Sequence, residues 1–141
     1  MNDLRVVIDT NIIVRAISGR SLTSFVFDSL FNQAFTLCVS TEILFEYEEK
    51  LSQIYDQEIA ELVTSSFLLL PNIHKSDIYF DLRLVSKDVD DNKFINCAFS
   101  SNSHFIVSDD KHFNVLASID FPKINVLKYH QFKDLLINKS F

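Results

Sequence analysis

The sequence predicts an α/β fold: a three-layer α/β/α domain around a central parallel sheet of four to five strands. Three observations carry that expectation. Short apolar runs of strand length alternate with longer segments whose apolar residues recur at helical spacing. The first run, Leu4 to Ile8, ends on a carboxylate, Asp9, and reads as a buried strand. With 48% hydrophobic residues and 14 Phe, the 141 residues can fill one core, so residues 1–141 are expected to form a single domain.

Taken in order, Ile12 to Ile17 continues the opening strand as a short helix, with Asp9 or Thr10 near its N-cap. Ser18-Gly19-Arg20-Ser21 is a turn, and Ser21 caps a helix to about Gln33 that is apolar around most of its circumference. Phe35 to Val39 is the second strand. Ser40-Thr41 then caps a helix from Glu42 to about Tyr55, with Ile43, Leu44, Tyr47, Leu51 and Ile54 in one stripe and Phe45 on the far side. Gln57 to Leu70 is a further helix, with Ile59, Leu62, Val63, Phe67 and Leu70 inward and Pro71 closing it. A short strand is expected around Ile73 and a helix around Ile78 to Leu84. Asp88 to Asp91 opens a helix to about Ser101, with Phe94, Ile95, Ala98 and Phe99 inward. Phe105 to Val107 is a strand, Phe113 to Leu116 a short helix, Ile124 to Leu127 the last strand and Tyr129 to Ile137 the last helix.

Composition removes several function classes. No apolar run approaches the roughly 20 residues of a membrane span, and no signal-peptide pattern opens the chain, so no membrane association and a cytoplasmic location are expected. Cys38 and Cys97 lack metal or redox spacing and read as buried hydrophobes. The single glycine, Gly19, excludes a glycine-rich phosphate loop. A net charge of −6, from 13 basic and 19 acidic residues, argues against broad electrostatic binding of nucleic acid and suits a basic protein partner.

The chemistry lies in the acids. Right-handed crossovers put the C-terminal ends of parallel strands along one edge, where ligands of open α/β sheets bind. Asp9 follows one strand directly, and Ser108-Asp109-Asp110 follow another. Asp91 starts a helix, and Glu46 lies one turn into a helix that begins at the same edge. Each has a plainer reading: Asp9 as an N-cap, Glu46 as part of a solvated face with Glu42 and Glu49, and Asp88, Asp90 and Asp91 as first-turn acids that suit the helix dipole. Chemistry alone does not choose between Asp109 and Asp110. Asn11 and Ser108 read equally as supporting donors or caps, and His74, His104, His112 and His130 as structural or exposed. Two carboxylates about 4 Å apart repel by about 4 kcal/mol at an effective dielectric of about 20. A cluster of three or four needs a cation or must hold protons, and all-oxygen ligands without a nearby His or Cys select Mg²⁺ or Mn²⁺ over zinc.

Four segments together resemble the PIN-domain ribonucleases. Val7-Ile8-Asp9-Thr10-Asn11 is similar to that family's opening motif, and Ser40 to Glu46 to its second, with Glu46 in the ligand place. Asp88-Val89-Asp90-Asp91 resembles the third motif and Ile106-Val107-Ser108-Asp109-Asp110 the fourth, which assigns ligand roles to Asp91 and Asp110 and a supporting role to Ser108. The likeness covers about residues 4 to 136 and is closest to the small VapC-like toxins of toxin–antitoxin pairs. It implies a PIN-like fold and an endoribonuclease whose catalytic metal ligands are Asp9, Glu46, Asp91 and Asp110, with Thr10, Asn11 and Ser108 in support. It further implies Mg²⁺ or Mn²⁺ as cofactor, an RNA substrate cut to 5′-phosphate and 3′-hydroxyl ends, a homodimer and an antitoxin partner. Arg15, Arg20, Lys87, Lys93 and Lys111 are the candidate phosphate contacts. Two rivals stand beside this reading. One is a catalytically inactive PIN-fold module that binds RNA or protein. The other is a haloacid-dehalogenase-type phosphatase, which wants an Asp where Asn11 stands.

Overall fold

A computed structural model describes residues 4–17, 24–84 and 91–138. Five strands form one sheet: β1 (Arg5–Ile8), β2 (Thr36–Val39), β3 (Ile73–Lys75), β4 (Phe105–Val107) and β5 (Val126–Leu127). Their order is β3-β2-β1-β4-β5, and every neighbouring pair is parallel. The helices are α1 (Thr10–Ala16), α2 (Phe25–Phe31), α3 (Thr41–Ile54), α4 (Gln57–Leu69), α5 (Asn92–Ser100) and α6 (Tyr129–Asn138). A 3₁₀ segment, Lys111–Ser118, joins β4 to β5. Strand order runs outward from β1 through β2 to β3, then returns to β4 and β5. With right-handed crossovers, that reversal sends connections over opposite faces and gives the expected α/β/α layers.

The central strand is apolar because it is covered twice. Val6, Val7 and Ile8 are fully buried, as are Leu37, Cys38 and Val39 of β2 and Ile106 and Val107 of β4. One core cluster runs from Leu4 to Leu136, and a smaller one joins Val14 of α1 to Leu51 of α3 and Ala60 of α4. Aromatic edges tie the layers: Phe35 meets Phe132 of α6 at 5.1 Å, and Phe94 of α5 meets Phe113 at 6.4 Å. Cys38 and Cys97 are buried free thiols, and burial pushes the Cys97 thiol far up, so both act as hydrophobes.

Several expected elements change. No helix forms over 78–84. The Leu82 N–H donates to the Asn96 side chain at 2.9 Å instead of to a helical carbonyl, and Arg83 is left-handed at φ 52°. α2 starts at Phe25; the turn at Ser18 and the Ser21 cap lie outside the described residues, as does Gly19. It stops at Phe31, and Gln33 turns left-handed at φ 59°. β5 keeps only the two residues that pair with β4. The short helix after β4 is longer than expected and takes the tighter 3₁₀ form. Ile54, Leu62 and Phe99, all expected inward, are exposed at 59%, 67% and 41%. Phe99 lies instead against Phe80 and Phe121 at the surface. Among the described residues no helix is long and apolar enough to cross a membrane.

Candidate functional site

Asp9 stands at the C-terminal tip of the central strand, where the strand order reverses between β1 and β4. Open parallel sheets leave a crevice at this place, because the flanking connections diverge to opposite faces. The Asp9 N–H donates to the Val107 carbonyl at 3.0 Å, so the sheet ladder holds its backbone. Its position is the N-cap of α1, yet its side chain caps nothing. The carboxylate instead accepts the Ser108 hydroxyl at 2.7 Å. Only 6% exposed, it is held above the usual carboxylate range. Burial is the largest cause, and the charges of Asp110 and Glu46 add to it; the Ser108 hydroxyl and the Thr10 N–H pull the other way.

Ser108 couples two acids. While its hydroxyl donates to Asp9, its oxygen accepts the Asp110 N–H at 3.0 Å. Asp110 caps the 3₁₀ segment, with Oδ1 accepting the His112 N–H at 2.9 Å. Asp91, buried at the N-cap position of α5, places Oδ2 3.2 Å from His112 Nδ1, and that nitrogen lies 3.4 Å from Asp110 Oδ1. One ligand-type atom from each of Asp91, Asp110 and His112 falls within 4.8 Å of the other two. His112, expected to be structural or exposed, belongs to this cluster. The sequence held one signal for it: it stands two residues beyond Asp110, in the first turn of the segment Asp110 caps.

Glu46 closes the group from α3. Its carboxylate accepts the Thr10 hydroxyl and pairs with Lys93 of α5 at 2.7 Å. Thr10 therefore supports an acid directly, while Lys93, expected as a phosphate contact, is engaged with Glu46. Asn11 is exposed on the cleft wall, where its carbonyl accepts the Arg15 side chain at 3.2 Å. Asp109 is engaged by other partners. It accepts the Tyr129 N–H at the start of α6 at 3.0 Å and pairs with Arg15 at 3.7 Å. Asp88, Asp90, Arg20 and Lys87 lie outside the described residues.

Of these acids, Asp9 and Asp110 open onto a cleft of about 410 Å³ that Asn11, Arg15 and Asp109 also line. Its carboxylates sit against an apolar wall of Ile12, Val14 and Ile54, and Arg15, paired with Asp109, is the cation of the lining. A divalent cation fits this chemistry: a buried carboxyl held up by its like-charged neighbours gains most from positive charge at its open side.

A family model described as PIN domain matches residues 5–112. No curated protein sequence matches the chain. Among solved structures, VapBC2 from Rickettsia felis, bound to a DNA fragment from their promoter, contains a chain similar at TM-score 0.61 and 17% identity. That match covers 89% of this chain and 98% of the other. The PIN domain endonuclease Utp24 is similar at TM-score 0.51 and 19% identity, over 88% of this chain and 84% of that one. At these identities the likeness is one of fold.

Proposed function

The chain belongs to the PIN-domain family, and on that premise we propose that it is an endoribonuclease dependent on Mg²⁺ or Mn²⁺. The observation that carries this reading is the gathering of Asp9, Asp91 and Asp110, with Glu46 beside them, from four separate segments at the tip of the central strand. Asp9, Asp91, Asp110 and Glu46 are the residues that would hold the ion. When bound, such an ion neutralises phosphate charge, lowers the pKa of water and stabilises a leaving oxygen.

The chain's own groups do the rest. Ser108 fixes the Asp9 carboxylate and the Asp110 backbone with one hydroxyl, so neither acid has to be ordered when substrate arrives. Thr10 and Lys93 hold Glu46 from two sides. His112 orients Asp91 and Asp110 towards each other. Arg15, half exposed on the cleft wall, is placed to meet a phosphate oxygen.

The toxin role belongs to the same proposal, with an antitoxin partner and a homodimer. Its support is the VapC-like motif order and the likeness to a chain of VapBC2. Exposed apolar side chains on α3 and α4 add to it: Phe45, Leu68 and Leu69, the last 86% exposed, form a surface that a partner would cover.

The decisive experiment incubates the purified chain with RNA and Mg²⁺. Wild type is expected to release fragments with 5′-phosphate ends, and Asp9→Asn to release none. Cleavage by Asp9→Asn at the wild-type rate would overturn the site. Expression alone and beside the neighbouring reading frame tests the toxin role: growth arrest with discrete new RNA ends, relieved by the neighbour, is expected. Sedimentation of the purified chain at several concentrations tests the dimer.

A further inference from the structure

A second cleft runs along the β4–β5 side of the sheet, from the segment before β5 to the turn after β4. It has a volume of about 510 Å³, lies against β4 and β5, and shares Asp109 and Asp110 with the acid-lined cleft. The two meet at the turn after β4. Its size falls within the roughly 300–1,000 Å³ of ordinary ligand sites.

Its chemistry is the reverse of its neighbour's. Lys111, Lys123 and Lys128 line it, all three are exposed, and none is ion-paired among the described residues. In a chain of net charge −6, this is a local change of sign beside the acids. Asn114 and Asn125 also line it, their side-chain amides without a hydrogen bond among the described residues, and half-buried Phe105 and Val126 supply an apolar wall. Asp109, at the border, has its charge partly met by Arg15 and by the first N–H of α6. Ammonium groups suit backbone phosphates, amides suit the edges of an unpaired base, and an apolar wall suits its face. An acidic peptide would use the lysines too, but only a nucleic acid would also run on to the adjoining acids that would hold the metal.

We propose that this cleft is a nucleotide subsite for single-stranded RNA adjoining the scissile phosphate, in which Lys111, Lys123 and Lys128 engage the backbone and Asn114 and Asn125 face a base. It rests on the nuclease reading above, and is tested by binding without turnover so that the two can fail separately.

The probe is a fluorescein-labelled single-stranded RNA hexamer, followed by anisotropy in EDTA over a range of salt. The double variant Lys123→Gln/Lys128→Gln is expected to weaken binding about tenfold. It should also flatten the dependence of log K on log salt by about 1.4, because each phosphate contact on a single strand contributes about 0.7. Ala117→Trp, an exposed position on the cleft wall, fills the space and is expected to weaken binding by a similar factor with little change in salt dependence. The two variants act by different means, so a folding defect in one leaves the other decisive. Mg²⁺ affinity by calorimetry should stay at the wild-type value in both. Wild-type hexamer binding in both variants, no hexamer binding by wild type, or loss of Mg²⁺ binding in both variants would each overturn the subsite. If the chain cuts RNA while the variants bind normally, only the subsite falls. If it binds the hexamer through this cleft and never cuts RNA, only the nuclease reading falls.

Discussion

Asp9 carries a cost that the rest of the site makes useful. Its folded-state carboxyl lies above the ordinary value of 3.8, because it is buried among Asp110 and Glu46. Without metal, the stability it contributes is therefore fully present below about pH 3.8 and is lost as pH rises through its folded value. Asp9→Asn removes that loss. In EDTA at pH 7 the variant is expected to be more stable than wild type, with the gap closing towards acid. Urea unfolding across pH measures it, and a gap that widened on acidification would contradict the assignment. His112 tests the same cluster from its other side. His112→Ala leaves Asp91 and Asp110 without their shared partner and is expected to weaken Mn²⁺ binding by roughly 10-fold or more. Unchanged affinity by calorimetry would return His112 to a structural role.

At the scale of elements, helix starts are what aim the acids. Ser40 accepts the Ile43 N–H at 3.3 Å and thereby fixes where α3 begins, which sets the turn on which Glu46 lies. The Tyr47 hydroxyl, buried and pushed well above its ordinary pKa by that burial, donates to the Ile8 carbonyl and seats α3 on the end of β1. Ser40→Ala is expected to cost about 1 kcal/mol in chemical denaturation and to lower cleavage along with stability. An unchanged midpoint would mean that packing of Ile43 and Tyr47 alone positions the helix. The segment from Ile78 to Leu84 illustrates the opposite control. Its sequence is helix-compatible, but Asn96 captures the Leu82 N–H and also donates to Asp81 at 3.2 Å, so α5 dictates its path.

For the whole molecule, the sheet order explains why one edge gathers the chemistry. β1 is flanked by β2 and β4, and the connections leave it in opposite directions, so the crevice at its tip is a consequence of topology. Closing that crevice on a cation should stabilise the entire fold by mass action. At about 100 times its dissociation constant, Mg²⁺ is expected to add about 2.7 kcal/mol to wild-type unfolding and much less to Asp9→Asn. Thermal melts with and without EDTA read this directly, and an equal gain in both proteins would place the ion elsewhere.

The sequence by itself determined most of the architecture and the sheet edge at which Asp9 and Asp110 flank Ser108. Apolar runs such as Val6-Val7-Ile8 have little choice but a covered strand, and an acid at the end of such a run must emerge at the edge. Asp9 was legible because a strand end is a local feature, whereas Asp91 and Asp110 were singled out from neighbouring acids only by the family resemblance. Tertiary structure decided what depends on direction in space. It turned Asp109 towards α6 and Asp110 towards Asp91, a distinction between adjacent carboxylates that strand and helix periodicity does not contain. It brought His112 into the cluster, engaged Lys93 with Glu46, and left Ile54 and Leu62 outside a helical stripe that looked continuous. Periodicity tells which face of a helix is apolar. Only the packing of neighbouring elements decides how far along that face the core extends, and whether a side chain one bond from a turn points in or out.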